Sequence, residues 1–195
     1  MAAFDRAALL ATVAVITVAG CQAAASSRST KVRPTGFGWF AAGAAPAGWR
    51  TITLPDRAAT LSYPPSAHRA AGDPGTVTAV TGAADDPLVY LNATPQQGDE
   101  TPASWTRFRI EHLADDDANA VRLEATATGL VFRGGTGSCV VDQYRSRVGN
   151  HAYREIACLV VGAHGTSVLI AAAPAAAWSR VAGTLERAVD SYQVS

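Results

Sequence analysis

Three cysteines have the clearest potential for chemistry in this 195-residue sequence: Cys21, Cys139 and Cys158. A thiol can carry a lipid, join a second thiol in a disulfide or bind a metal ion, and its position and compartment decide between these roles. Cys21 follows an apolar stretch near the N-terminus, whereas the other two lie in the second half of the chain. The first cysteine and the later pair therefore indicate two different kinds of site.

The segment before Cys21 has the layout of an export signal. Its apolar stretch, residues 7–19, is shorter than the roughly 20 residues of a membrane-spanning helix but fits the central region of a signal peptide. Asp5 offsets the charge of Arg6, so the terminal amine alone supplies net positive charge ahead of this stretch. The pattern predicts export into a compartment that permits disulfides.

The residues Val18-Ala19-Gly20-Cys21 resemble a lipobox, the sequence at which bacterial lipoproteins are cleaved and lipidated. The resemblance implies a lipoprotein signal peptide at residues 1–20, a diacylglycerol on the Cys21 thiol, and a cell-membrane location on the extracytoplasmic face. One acyl chain holds a protein only marginally, whereas two give stable anchoring. The alternative is an ordinary secretory signal with a cysteine at this position by chance.

Residues 21–36 are predicted to be a disordered tether. They are rich in Ala, Ser and Thr and have no apolar periodicity, so they cannot bury enough surface to offset chain entropy. The basic residues Arg28, Lys31 and Arg33 could lie on anionic headgroups, at about 1 kcal/mol per charge. The other interpretation is a solvated spacer.

In an exported protein, the pair Cys139 and Cys158 predicts a disulfide. Zinc would need four ligands, and the nearby His151 and His164 lack a tight C-x-x-C or H-x-x-H arrangement. A bridge closing this loop would contribute roughly 3 kcal/mol to stability. We expect no metal ion and no cofactor.

Two further motifs could suggest catalysis. Gly134-Gly135-Thr136-Gly137-Ser138 resembles a phosphate-binding loop, but the Gly-Lys-Ser/Thr ending is missing and we expect no helix after it, so we predict a tight turn. Ser138, His151 or His164, and Asp142 could form a Ser-His-Asp set, yet Ser138 is not in a Gly-x-Ser-x-Gly elbow. Any chain of this size offers such a trio, and we assign no catalytic residue.

Residues 37–195 are predicted to form a single globular domain. Alternating apolar and polar residues predict strands at 49–54, 59–63, 76–81, 88–94, 121–132 and 166–172. Residues 139–148 and 151–161 are predicted to form a hairpin around Gly149-Asn150. That turn would place both cysteines on one sheet face, one diagonal step apart. If the register of the two strands differed by two residues from this one, the cysteines would lie directly opposite each other.

Two helices complete the predicted domain. Thr101 is a preferred N-cap and Pro102 is tolerated at the first helical position, so the first helix should begin there and end at the acidic run 115–117. The second begins at Pro174, and its apolar stripe starts with Trp178, which we expect to be buried against the sheet. Trp39, beside the tether, is the tryptophan most apt to be exposed.

These elements predict an α+β fold, with a mostly antiparallel sheet of about six to seven strands and helices packed on its faces. The pattern resembles the PsbP-like α/β/α fold of actinobacterial lipoproteins, the LpqN type. The features that match are the lipobox at Cys21, the tether, the strand at Trp49, the helix at Trp105, the sheet through Cys139 and Cys158, and the closing helix at Trp178. The resemblance implies an extracytoplasmic binding or accessory module with no known catalytic set.

Charge composition narrows the functions that remain. Lys and Arg total 16, as do Asp and Glu, so no basic footprint indicates a nucleic-acid partner. We expect attachment to the membrane through Cys21, and an envelope protein or an amphiphilic envelope molecule bound between sheet and helix. The alternative is an envelope hydrolase with an unrecognised active site, which would need titratable groups converging in a pocket. A third hypothesis is a surface antigen with no ligand.

Overall fold

Residues 36–83 and 87–195 are described by a computed structural model of the chain. The described residues belong to one compact unit. The signal-peptide and lipidation predictions, and the tether up to residue 35, lie outside them. Within the described ranges, no helix is long and apolar enough to cross a bilayer.

The described residues form ten strands and two α-helices. The strands are β1 (Arg50–Thr53), β2 (Ala59–Tyr63), β3 (His68–Ala70), β4 (Val77–Gly82), β5 (Pro87–Pro95), β6 (Ala118–Phe132), β7 (Gly135–Ser146), β8 (Ala152–Gly162), β9 (Gly165–Pro174) and β10 (Gln193–Val194). The helices are α1 (Trp105–His112) and α2 (Trp178–Asp190). Strands β3 and β10 are too short to give a periodic signal in the sequence and were not predicted.

The strands form two sheets. The larger has seven strands in the order β3-β4-β5-β9-β8-β7-β6, and the smaller has three in the order β1-β2-β10. All strand pairings within these two sheets are antiparallel. The predicted α+β class, with a mostly antiparallel sheet of six to seven strands, is confirmed.

The large sheet is covered on both faces. Its inner face carries Cys139, Val141 and Ile156, and these pack in one cluster with the apolar stripe of α2 and with residues of the small sheet. Its outer face carries Val140 and Ala157, which pack with Trp105 of α1 and other apolar residues in a second cluster. Because neighbouring residues of a strand point to opposite faces, β7 and β8 contribute to both layers.

The predicted tight turn before a strand is present, but it is shorter than the glycine-rich segment 134–138, most of which belongs to β7. The turn itself takes only Arg133 and Gly134, and β7 begins at Gly135. A Cβ atom at Gly135 would lie 2.1 Å from the Val161 carbonyl oxygen, and one at Gly137 would lie 2.4 Å from that of Leu159. The glycines therefore permit close backbone approach between β7 and β8.

The first helix begins one turn later than predicted. The hydroxyl of Thr101 accepts a hydrogen bond from the Ser104 N–H at 3.2 Å, which closes a turn before the helix. Ser104 is the residue that precedes α1, and its side chain makes no capping bond. After α1, a π-helical turn at Leu113–Asp117 leads directly into β6.

The β7–β8 hairpin has a wider turn than predicted. Arg145 pairs with Ala152, so the connection is longer than the Gly149-Asn150 dipeptide. The Ser146 hydroxyl donates to the Val148 carbonyl at 2.6 Å and accepts from the His151 N–H at 3.1 Å. The Ser146 N–H also donates to the His151 carbonyl at 2.9 Å, so the hairpin closes around a longer turn and its register differs by two residues from the predicted one.

Candidate functional site

The shifted register brings Cys139 and Cys158 directly opposite each other. They form a disulfide with an S–S distance of 2.09 Å and a Cα–Cα distance of 4.1 Å. Both cysteines are fully buried on the inner face. The predicted disulfide is confirmed, and its place in the core indicates a structural role rather than an exchangeable thiol pair.

The Ser-His-Asp set considered in the sequence is not assembled. Ser138 is buried, and its hydroxyl donates to the Pro102 carbonyl at 2.7 Å. His151 and His164 are exposed in the turns before and after β8. An 11-residue strand separates these turns, so the two imidazoles lie at opposite ends of the sheet.

A cavity of about 560 Å³ opens beside the inner face. Its volume lies within the range of about 300–1,000 Å³ that is usual for small-molecule sites. The lining residues come from five separate segments: Gly36, Trp39, Glu124, Ala125, Val141, Arg154, Ile156, Trp178, Ser179 and Glu186. We call this cavity the inner pocket.

The floor of the inner pocket is apolar because it continues the core. Ala125, Val141 and Ile156 are neighbours across β6, β7 and β8, since Val141 pairs with both of the others. Glu124 lies at a register shift in β6 between Leu123 and Ala125. Such irregularities re-aim a side chain, and here a carboxylate reaches the pocket beside an apolar floor.

A network of charged groups lies along one side of the inner pocket. Arg154 Nε is 2.6 Å from Glu124 Oε2, and Arg122 Nη2 donates to Glu124 Oε1 at 2.6 Å. The Arg154 guanidinium also lies 4.6 Å from the ring centroid of Trp178. Glu124 is thus held by two arginines, and the orientation of Arg154 is set by a carboxylate and an aromatic ring.

Trp178 is not buried against the sheet as predicted, but half-buried in the wall of the inner pocket. The buried part of the α2 stripe consists of Val181, Ala182, Leu185, Ala188 and Val189. Trp178 is the first residue of α2, three residues before the buried stripe begins at Val181. Its ring packs against the rim of the core cluster and on Arg154, and part of it stays exposed.

Trp39 is also half-buried rather than exposed. Its ring centroid is 5.7 Å from that of Phe37 and 6.1 Å from that of Phe40. Phe40 in turn packs on Phe132 at 4.8 Å, which fastens the segment to the end of β6. This chain of aromatic contacts holds Trp39 at the inner pocket.

The outer face contains a different charged group, which we call the buried acid pair. Asp142 lies directly opposite Glu155, and both residues are fully buried. Arg109 of α1 reaches Glu155 Oε1 with Nε at 2.9 Å and Nη2 at 2.5 Å. Glu155 Oε2 and both oxygens of Asp142 have no hydrogen-bond partner. Arg109 is therefore hydrogen-bonded to only one of the two facing carboxyls.

This arrangement favours a protonated Asp142. Burial raises the pKa of Asp142 from 3.8 to about 8, and the neighbouring Glu155 charge adds to the rise, against the lowering effect of Arg109. Burial also raises the pKa of Tyr144 and, to a smaller extent, that of Tyr90 above the ordinary value of 10.0. Neutral Asp142 removes the repulsion that two facing carboxylates would otherwise create.

The inner pocket and the buried acid pair lie on opposite faces of the same strands. Among the described residues, no group of three or more His, Cys, Asp or Glu side chains could hold a metal ion. Neither group was predicted from the sequence. Once Cys139 is paired with Cys158, the antiparallel register places Asp142 opposite Glu155, three residues along each strand. The disulfide could therefore have revealed the acid pair.

The fold has counterparts among solved structures. Cyanobacterial PsbP (CyanoP) from Synechocystis sp. PCC 6803 matches with a TM-score of 0.53 at 14% identity, over 78% of this chain and 96% of that one. LpqN, described as involved in cell envelope biogenesis of Mycobacterium tuberculosis, matches with a TM-score of 0.44 at 13% identity, over 75% and 90% of the two chains. The likeness to CyanoP shows a PsbP-like fold. No protein-family model and no curated protein sequence matches the chain.

Proposed function

We propose that the chain is a lipid-anchored binding or accessory lipoprotein of the cell envelope, located on the extracytoplasmic face and without a catalytic step. It uses the inner pocket to hold part of an amphiphilic envelope molecule. The observation that carries the proposal is a cavity of about 560 Å³ lined by two tryptophans and an ion pair. Such a mixture of apolar walls and a few fixed polar groups is typical of binding sites.

The position of the inner pocket in the chain supports membrane proximity. Gly36 lines the pocket and is the last residue of the tether that the sequence predicts from Cys21; a disordered chain of about 15 residues spans roughly 20 Å on average. A lipid on Cys21 would keep the pocket within that order of distance from the membrane surface. Amphiphilic molecules of the envelope are concentrated there.

The alternative, an envelope hydrolase, needs its titratable groups in a pocket. Asp142 has the raised pKa that a general acid requires, but it is fully buried on the outer face. The inner pocket is on the other face of the sheet, and of the two carboxylates that line it, Glu124 is already engaged by Arg154 and Arg122. Binding without catalysis is the function that this separation favours.

Crosslinking in cells tests the binding function. A photoreactive amino acid replaces Ser179, which lines the inner pocket and is exposed, and a matched control replaces Glu111, exposed on α1. We expect an envelope molecule to be captured from position 179 and not from position 111, as identified by mass spectrometry. Equal capture at both positions, or none at either, would contradict the proposal and favour a surface antigen without a ligand.

Fractionation tests the anchor. Cys21→Ala removes the thiol that would carry the diacylglycerol, so this variant should leave the detergent phase and appear as uncleaved precursor or shed protein. Wild-type chain should partition into detergent. If the Cys21→Ala variant partitions like wild type, the lipobox interpretation is wrong.

A further inference from the structure

The walls of the inner pocket suit a ligand with an apolar ring face. Trp39 and Trp178 line the pocket and are each half-buried, so part of each indole remains uncovered. The floor at Ala125, Val141 and Ile156 is aliphatic. A flat ligand bearing C–H groups can pack on an indole face while the rest of it remains hydrated.

The charges of the inner pocket disfavour an ionic ligand. Among its lining residues Arg154 is the one guanidinium, and it already contacts Glu124 at 2.6 Å. An anion would have to displace Glu124 and lie beside Glu186 as well. A cation would meet Arg154 on the Trp178 face, at 4.6 Å from the ring centroid. Arg122 and Arg154 both engage Glu124, so this ion-pair network is already compensated and an uncharged ligand costs least in electrostatic free energy.

The polar groups of the inner pocket complement hydroxyls. Arg154 offers only donors, Glu124 and Glu186 offer only acceptors, and the Ser179 hydroxyl offers both. A hydroxyl group can satisfy either kind of partner, since it is both donor and acceptor. A molecule with several hydroxyls around a ring of C–H groups combines the two requirements of the pocket.

We propose that the inner pocket binds an uncharged sugar ring, presented by an envelope glycan or by the headgroup of a glycolipid, with its C–H face on Trp39 or on the part of Trp178 that Arg154 leaves uncovered, and its hydroxyls on Arg154 and the two glutamates. The proposal rests on the binding function above and specifies its ligand class. An anionic phospholipid headgroup is the ligand that it excludes.

Saturation-transfer NMR on the full chain in lipid nanodiscs tests this ligand class. The probes are methyl glycosides of glucose, galactose, mannose and arabinose, with glucose 6-phosphate and glucosamine as anionic and cationic versions of one ring. We expect at least one neutral glycoside to bind. Its charged counterparts should bind at least about tenfold more weakly. The affinity of octyl glucoside is compared with that of methyl glucoside. A higher affinity for octyl glucoside would indicate a glycolipid headgroup, and equal affinities would indicate a free glycan.

Variants connect the signal to the inner pocket. Trp178→Ala and Glu186→Gln should each lower affinity about tenfold, whereas Trp178→Phe should retain most of it. Trp49→Phe and Glu111→Gln are the matched controls, since neither residue lines the pocket, and both should bind like wild type. A thermal melt of each variant confirms that the loss is not due to unfolding.

A charge change gives the sharpest outcome. Glu124→Gln leaves Arg154 without its carboxylate partner, so the variant should gain affinity for glucose 6-phosphate relative to the neutral glycosides. Binding of none of the neutral glycosides, or tighter binding of glucose 6-phosphate by wild type, would overturn the sugar proposal. If position 179 still captures a lipid or a protein in cells, the binding function survives that result; if it captures nothing, both proposals fail.

Discussion

Arg154 and Glu155 are neighbours in β8, yet they belong to regions with opposite properties. The Arg154 side chain is 31% exposed in the inner pocket, whereas that of Glu155 is 1% exposed beneath α1. Arg154 keeps access to water and to a ligand, while Glu155 can interact only with the groups that enclose it. A cluster of charges indicates a binding site only where it opens to solvent, and the buried acid pair does not.

The comparison also separates two ways of compensating charge. In the inner pocket, each carboxylate oxygen of Glu124 lies 2.6 Å from an arginine nitrogen, Oε1 in a hydrogen bond and Oε2 in an ion pair without hydrogen-bond geometry. In the buried acid pair, three carboxylate oxygens lack a hydrogen-bond partner, and protonation of Asp142 supplies the neutrality that partners do not. In the inner pocket, a ligand can take the place of one partner in the ion pair. In the buried acid pair, the protonation of Asp142 is coupled to folding.

The largest difference in the free energy of unfolding is expected between alanine variants of two tryptophans, Trp105 on the outer face and Trp178 at the inner pocket. Trp105 is 1% exposed, and its Nε1 donates to the Ala157 carbonyl at 3.0 Å. Trp105→Ala should therefore lower the free energy of unfolding by about 4 kcal/mol. Trp178→Ala should cost only about 1–2 kcal/mol, because its ring is partly solvated. Urea denaturation of both variants checks this, and equal losses would place Trp178 in the core.

Replacing Arg109 on the outer face should likewise cost more stability than replacing Arg154 at the inner pocket. Arg109→Ala leaves the buried acid pair without its cation, and we expect a loss of about 3 kcal/mol at pH 7. Arg154→Ala breaks a partly exposed ion pair and should cost about 1 kcal/mol or less. Chemical denaturation at low and high salt provides the measurement. A larger loss for Arg154→Ala than for Arg109→Ala would refute the assignment of one region to stability and the other to binding.

The pH dependence of stability should come from the outer face. The folded-state pKa of Asp142 is raised from 3.8 to about 8, so the folded chain keeps a proton that the unfolded chain has lost. The stability from this proton is fully present below about pH 4 and is lost as the pH rises through about 8. Asp142→Asn, which cannot ionise, should gain stability relative to wild type by up to about 1.4 kcal/mol for each pH unit until about pH 8. Denaturation curves from pH 5 to 9 test this, and parallel curves for the two proteins would contradict it.

Local sequence patterns predicted most of the sheet. The strand at 59–63 was placed to the residue because Pro64 and Pro65 stop it. Gly129 within the strand pattern also marks a bulge, since that residue has a φ of +70° at a register shift in β6. Alternation fixes which side chains share a face, so both cysteines were assigned to one face.

The inner pocket could not be predicted in the same way. Helical periodicity identifies the apolar stripe of α2 but not how much of each residue in the stripe is covered, so Trp178 was assigned to the core. The ion pair between Glu124 and Arg154 depends on a register shift between Leu123 and Ala125, which no local pattern specifies. The pocket exists only when five separate segments come together.

The register shifts of β6 also affect how the protein behaves among its own copies. This 15-residue strand is the last in the seven-stranded sheet, and Val131 on it is 67% exposed. A long, flat, apolar edge would offer a continuous row of backbone groups on which another chain could assemble. Three register shifts interrupt that row and bend it. The irregularity that turns Glu124 toward the pocket therefore also protects the sheet from edge-to-edge aggregation.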